Sequence, residues 1–110
     1  MVKTFKLSAG QIQQLIPPMG ACRASDMITV HGMKVGVMYR EAPENEIDSG
    51  WRFLSGNESD EYRSDPEYFG IHEVNTLCNY DPDIIPHLNS PVGYSFKRNK
   101  STGLFTSHLT

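Results

Sequence analysis

Four carboxylates have the residue type needed for acid and base chemistry. Glu41 and Asp48 lie seven residues apart, and Asp81 is followed at the second position by Asp83. One protonated and one ionised carboxylate on facing sides of a cleft can act as general acid and general base. The aspartates also suit structural roles, because Asp48 can cap the turn after it and Asp81 can cap a following helix. We favour the structural roles, since turns and caps select aspartate for reasons of their own.

Histidine and cysteine spacing gives little support for a metal centre or a thiol nucleophile. No two histidines are three or four residues apart, and the cysteines form no C-x-x-C pair. A free cysteine is more often a small buried residue than a nucleophile. The glycines also lack the spacing of a nucleotide-binding loop. We therefore predict no catalytic residues, no metal site and no cofactor. The residues concerned are His31, His72, His87, His108, Cys22 and Cys78.

The charged residues are unevenly distributed along the chain. The net charge is −3, but residues 41–83 hold twelve Asp/Glu against two Arg, a balance of −10, and the rest holds eight Lys/Arg against one Asp, a balance of +7. Such polarity bears on partners more than on fold. It predicts a protein partner with a basic surface, and the alternative is an acidic face that only aids solubility. No Arg-rich helix or Lys-aromatic alternation indicates nucleic-acid binding.

The predicted partner surface is an acidic loop together with a second acidic stretch. Aromatic residues beside these carboxylates are typical interface anchors, because they bury a large area at modest entropic cost. Arg40 and Arg52 flank the loop, and the alternative is that they neutralise it internally. The predicted partner-binding residues are Tyr39, Glu41, Glu44, Glu46, Asp48, Glu58, Asp60, Glu61 and Tyr62.

A hairpin must position the acidic loop. Val35, Val37 and Tyr39 recur at every second residue, and Trp51 and Phe53 repeat that spacing after the loop. This alternation predicts two strands that each bury one face, with Trp51 and Phe53 in the core. The connection of about nine residues is longer than a tight turn requires, and long loops are often functional.

The remaining periodicity predicts an α+β domain with an antiparallel sheet of four to six strands and two or three short helices on one side. Helices are predicted at 9–16, after a Ser8–Gln11 capping box, at 71–79, and as a short bent turn that Asp81 and Pro82 begin. Further strands are predicted at 1–6, 20–24, 27–30 and 92–97, the last returning through a turn at 99–103. Residues 62–69 receive no assignment.

Length and composition predict one soluble domain spanning residues 1–110. The chain is 38% apolar and 21% charged, which is ordinary for a single core. There is no secretory signal, and no run approaches the roughly 20 apolar residues of a membrane span. We therefore predict a cytoplasmic protein that does not enter a membrane. The sequence leaves its oligomeric state open.

Three runs of residues resemble the Imm33-type domain, a bacterial family. They are VGVMYRE at 35–41, DSGWRF at 48–53 with Ser55 and Gly56, and NYDPDII at 79–85 with Asn75 and Thr76. The resemblance covers residues 20–98, and leaves 1–19 as an N-terminal strand and helix and 99–110 as a C-terminal turn and tail.

The resemblance implies a non-enzymatic immunity protein of a bacterial polymorphic toxin system, which blocks its toxin by occlusion. The family supplies no catalytic residues. An acidic surface would suit a basic toxin such as a nuclease. Two alternatives remain open: a small enzyme or ligand-binding domain that uses an acidic cleft, and a housekeeping domain.

Overall fold

Six strands form a single sheet in the residues that the structure, a computed structural model, describes, which are 3–109. The strands are β1 (Ala21–Ser25), β2 (Val37–Arg40), β3 (Asp48–Leu54), β4 (Phe69–Glu73), β5 (Tyr94–Arg98) and β6 (Phe105–Leu109). The helices are α1 (Asp26–Thr29), α2 (Asp60–Ser64) and α3 (Val74–Tyr80), with 3₁₀ turns at Ala9–Gln11, Pro66–Tyr68 and Pro82–His87.

The strand order is β4-β1-β3-β2-β5-β6. Neighbouring strands are antiparallel except β1 and β3, which run parallel. The predicted α+β class is confirmed, and the sheet is mixed, although mostly antiparallel. The parallel pair arises because α1 and β2 carry the chain back to the same end of the sheet before β3 begins.

The predicted hairpin is confirmed, but its predicted buried face is wrong. Met38 pairs with Phe53, so Met38 shares the core face with Trp51 and Phe53 and is fully buried. Val37 and Tyr39 lie on the opposite face and are half-buried. Val35 is also buried, but it lies before β2, which begins only at Val37. The alternation therefore breaks between Val35 and Val37, and within β2 the core-facing residue is Met38.

The core lies between one face of the sheet and a layer formed by α1, α3 and the turn Pro82–His87. Trp51 is completely buried, and its indole Nε1 donates a hydrogen bond to the Leu88 carbonyl at 3.1 Å. The buried N–H group therefore has a hydrogen-bond partner. The core residues are Cys22, Ala24, Ile28, Val35, Met38, Trp51, Phe53, Val74, Leu77, Cys78, Ile84, Leu88 and Phe96.

The predicted helix at 9–16 is wrong beyond its first turn. The capping box forms, and a 3₁₀ turn follows at Ala9–Gln11, but the chain is extended at Ile12. Further on, the side-chain oxygen of Asn75 accepts hydrogen bonds from the Leu15 and Ile16 amides. A single capped turn cannot propagate alone, and here α3 satisfies backbone groups that a helix would have paired internally.

Two further predictions of element type are corrected. Residues 27–30 are not a strand, because Ser25 caps α1 by accepting a hydrogen bond from the Met27 amide at 3.2 Å. The predicted helix at 71–79 begins only at Val74, since Ile71 belongs to β4 and pairs with Arg23 of β1. Tertiary pairing with β1 therefore decides the state of residues 69–73.

The two ends of the chain differ in outcome. Residues 3–6 form no strand, and Met1 and Val2, where the predicted strand begins, lie outside the described residues. At the other end, the predicted final strand and the turn at 99–103 are confirmed by β5 and the turn after it, whereas the segment after this turn, expected as a tail, forms β6. Asp81 begins the bent turn Pro82–His87, as predicted, by accepting a hydrogen bond from the Asp83 amide.

Candidate functional site

A depression lies on the face of the sheet opposite the core. Strand register places Arg23, Arg52, Tyr39 and Ile71 on this face, because Arg23 pairs with both Arg52 and Ile71, and Tyr39 pairs with Arg52. These side chains line a volume of about 450 Å³, which we call the open-face trough. Its wall also includes Glu41, from the acidic loop, and residues of the segment 63–69 that leads into β4.

A buried guanidinium organises the trough. Arg52 is 4% exposed, and its two terminal nitrogens bind the two carboxylate oxygens of Asp48 at 2.9 and 2.8 Å. Its Nε donates to Glu41 at 2.7 Å. The bidentate contact with Arg52 holds the pKa of Asp48 well below its usual range, against the opposing effect of burial. Both carboxylates therefore bind Arg52, and the lowered pKa of Asp48 does not suit the role of a general acid.

An irregularity in β3 brings Asp48 beside Arg52. The register between β1 and β3 shifts. A step of two residues along β1, from Ala21 to Arg23, corresponds to a step of four along β3, from Asp48 to Arg52. Gly50 has a φ of +89°, and a Cβ there would lie 2.2 Å from the Glu41 carbonyl oxygen, so only glycine fits. The distinctive run at 48–53 thus contains two core residues, Trp51 and Phe53, and two members of one ion-pair cluster, Asp48 and Arg52.

About half of the negative charge of the acidic loop is balanced by two arginines. Glu44 forms an ion pair with Arg23 at 2.6 Å, and Glu41 and Asp48 bind Arg52. Glu46 is exposed and is the loop carboxylate without an ion pair among the described residues. The loop therefore projects less negative charge than its composition suggests, and the arginines responsible are Arg23 and Arg52, since Arg40 binds backbone carbonyls instead.

The second acidic stretch keeps more of its charge. Asp60 and Glu61 are exposed in the first turn of α2, where the helix dipole favours negative charge. Glu58 instead accepts hydrogen bonds from the amides of Ser55 and Gly56 and holds the turn. The ring of Tyr62 stacks on Tyr68 with centroids 4.3 Å apart, so Tyr62 is half-buried.

The predicted partner-binding residues fall into two groups. Tyr39 and Glu41 line the trough, with Asp48, Glu44 and Glu46 next to them in or beside the acidic loop. The second group comprises Glu58, Asp60, Glu61 and Tyr62, which precede in the chain the residues 63–69 of the trough wall. The predicted partner-binding residues do not include Arg23, Arg63 or Ile71, which also line the trough. The sequence signal for Arg23 is a charged residue between two small or apolar residues of a strand, as in Cys22-Arg23-Ala24.

A second carboxylate cluster lies at the other end of β2. Asp81 is fully buried and accepts hydrogen bonds from Arg98 at 2.6 Å and from the Val35 amide at 3.0 Å. Asp83 pairs with the same arginine at 3.1 Å. Glu41 directly follows β2, whereas Val35 precedes it, so the two carboxylate pairs do not share one cleft.

Other reactive groups are buried or dispersed. Burial raises the pKa of Cys78 to about 11 and raises the pKa of Cys22 further above its usual range. Within residues 3–109, no three His, Cys, Asp or Glu side chains converge as ligands for a metal ion. The helices in the same range are all too short or too polar to cross a bilayer.

A comparison with protein-family models identifies the family. The model described as the Immunity protein Imm33 domain matches residues 22–108. The chain belongs to the Imm33 domain family. The match confirms the resemblance seen in the sequence and extends through most of β6, beyond residue 98. Searches of curated proteins and of solved structures gave no match. Family membership indicates an immunity function, and it implies a protein partner in general.

Proposed function

We propose that this Imm33 protein neutralises a cognate bacterial toxin by binding it through the open-face trough and the acidic segments beside it. It acts by occlusion and without catalysis, in the cytoplasm, and its toxin has a basic surface such as that of a nuclease. The observation that carries the proposal is the difference between the two sheet faces. The helices α1 and α3 and the turn Pro82–His87 cover one face, whereas the other presents arginines, a tyrosine and an exposed isoleucine around a depression of about 450 Å³, with α2 in its wall.

The side chains of the trough are of the types that dominate binding energy. Arginine and tyrosine are enriched among interface hot spots. Ile71 is 73% exposed, an unusual position for a large aliphatic side chain on a strand, and it adds apolar area beside Arg23. The buried Arg52 holds Glu41 and Asp48 in place before any partner arrives, so little side-chain entropy remains to be lost at these carboxylates on binding.

Unpaired carboxylates near the trough support a basic partner. Glu46, Asp60 and Glu61 are exposed and have no ion pair within residues 3–109. A complementary electrostatic field accelerates association and falls off with salt. Glu44 and Asp48 contribute less to this field, because their charge is balanced by Arg23 and Arg52.

Stopped-flow association with the proposed cognate toxin tests the proposal. The variant Glu46→Lys/Glu61→Lys should slow association by about tenfold at low salt, because both unpaired carboxylates are reversed, and the difference should shrink at high salt. Asn89→Lys, an exposed change after the turn Pro82–His87, serves as the control for added positive charge. Equal rates for the double variant and the parent protein would remove these carboxylates from the interface.

Co-expression tests the function itself. The protein should restore growth to cells that express the toxin, and it should form a complex with the toxin in stoichiometric amounts. A toxin that stays fully active in the presence of excess folded protein would contradict the proposed function.

A further inference from the structure

A second depression on the open face is lined by positive charge. It has a volume of about 500 Å³ and lies where β2 begins, β3 ends and β5 passes beside β2. Four of its lining residues are exposed cations without an ion pair among the described residues. They are Lys34, Arg63, Lys97 and Lys100. We call this depression the basic recess.

The wall of the recess does not neutralise these cations. Glu58 is the carboxylate among the lining residues, and it accepts hydrogen bonds from Ser55 and Gly56. Arg98 also lines the recess, but its charge is balanced by Asp81 and Asp83. Four positive charges thus face one carboxylate that is already engaged in hydrogen bonds.

The backbone around the recess is rigid. A Cβ on Gly36 would lie 2.0 Å from the Ser55 carbonyl oxygen, so the start of β2 lies directly against the turn after β3. Arg98 adds to this, because its guanidinium donates to the carbonyls of Val35 and Gly103. The backbone that carries Lys34 and Lys97 is therefore closely packed against its neighbours.

The recess adjoins the open-face trough. Arg63 and Leu54 line both depressions, and Lys97 lies on the same face as Val37, its partner across β2 and β5. A macromolecule that docks on the trough therefore reaches the recess without leaving that face of the sheet.

We propose that the basic recess binds carboxylates of an acidic segment on the partner protein. The proposal rests on the proposed function for the identity of that partner, a toxin that contacts the trough and the recess together. Such a toxin presents basic groups to Glu46 and Glu61 and acidic groups to Lys97, so that the opposed charges fix its orientation.

Charge on the surrounding chain favours a short acidic peptide segment over a nucleic acid. Phosphate backbones bind through many cations along an extended track. Here the cations are confined to one recess, and the adjacent helix α2 begins with Asp60 and Glu61, which repel an extended polyanion. A few carboxylates on one loop avoid that repulsion.

Titration of the full chain with hexaglutamate, followed by amide NMR shifts, tests the recess without the toxin. Saturable shifts should appear at Gly36, Gly56 and Lys97 and weaken with salt. Lys97→Glu should lower the affinity by about fivefold or more, because it replaces an attraction by a repulsion. Lys6→Glu is the matched control, since Lys6 is exposed, has no ion pair among the described residues and does not line the recess.

Three outcomes would overturn the proposal: no saturable shift, an equal loss of affinity in Lys6→Glu, or tighter binding of a ten-residue oligothymidylate than of hexaglutamate. An unchanged melting temperature for Lys97→Glu shows that the loss is not one of folding, and Lys97→Gln should give an intermediate affinity.

The toxin complex provides the second test. Lys97→Glu should raise the dissociation constant by about fivefold or more, whereas Lys6→Glu should leave it within about twofold. A toxin that the parent protein fails to bind defeats the proposed function, while the hexaglutamate titration still decides whether the recess binds carboxylates. An unchanged constant in Lys97→Glu excludes the recess from an otherwise valid interface.

Discussion

The two faces of the central sheet are built from the same strands but serve different purposes. On β3, Trp51 and Phe53 point into the core and are fully buried, while Arg52 between them joins the ion-pair cluster of the open face. On β2, Met38 lies on the core face beside Phe53, and Tyr39 lies on the open face beside Arg52. A change at one residue of the run 48–53 should therefore affect stability or binding according to the face it occupies.

Trp51→Ala should give the largest loss of stability. The indole is completely buried, stacks near Phe53 and donates to the Leu88 carbonyl, so its removal leaves a large cavity and takes away the shorter of two hydrogen bonds that this carbonyl accepts. We expect the free energy of unfolding to fall by about 3–5 kcal/mol in urea denaturation. A loss below about 1 kcal/mol would contradict the assignment of this face as the core.

Arg52→Met should give the next largest effect on stability. Removing the guanidinium leaves two carboxylates beside each other without their cation, and Arg52 itself is buried. We expect a loss of about 2–4 kcal/mol in the same urea assay. Arg23→Met is the matched control, because both members of the Arg23–Glu44 pair are about half exposed and such pairs contribute at most about 1 kcal/mol. Equal losses in the two variants would show that burial does not distinguish these ion pairs.

Acid should remove part of the stability that the Arg52 cluster provides. The pKa of Asp48 is lowered in the folded protein, chiefly by Arg52, so its contribution is fully present above the unfolded pKa of about 3.9 and is lost as the pH falls through the folded value. We expect Asp48→Asn to be about 1–2 kcal/mol less stable than the parent protein at pH 7, with the difference shrinking below pH 4. A difference that stays constant down to pH 2 would assign the loss to packing instead of charge.

The sequence predicts the fold class and the central hairpin because they depend on local alternation and on turn chemistry. It does not predict that Ile71 lies in a strand, since spacings of three and four are also typical of a helix and only pairing with β1 decides between them. The residues 9–16 show the same limit. Their capping box forms, but the Leu15 and Ile16 amides donate hydrogen bonds to the side chain of the distant Asn75, and the helix does not continue.

The candidate site is partly predictable for a related reason. Tyr39, Glu41 and Asp48 stand out in the sequence because they surround a long acidic loop. Their pairing with Arg52 depends on the irregularity in β3, and the Arg23–Glu44 pair joins residues 21 positions apart. Net charge counted along the chain therefore overestimates the negative potential of the loop, because such a count does not include ion pairs with residues of other strands.

The most direct test of the account compares two equally exposed aliphatic residues in binding to the proposed cognate toxin. Ile71 lies on the open face beside Arg23 and is 73% exposed, while Leu104 precedes β6 outside the trough and is 70% exposed. Calorimetry should show that Ile71→Asp weakens the complex by about 30-fold, as expected for a hot spot of about 2 kcal/mol, while Leu104→Asp changes the dissociation constant by less than about twofold. An unchanged constant in Ile71→Asp, or an equal loss in Leu104→Asp, would contradict the claim that the toxin docks on the open face.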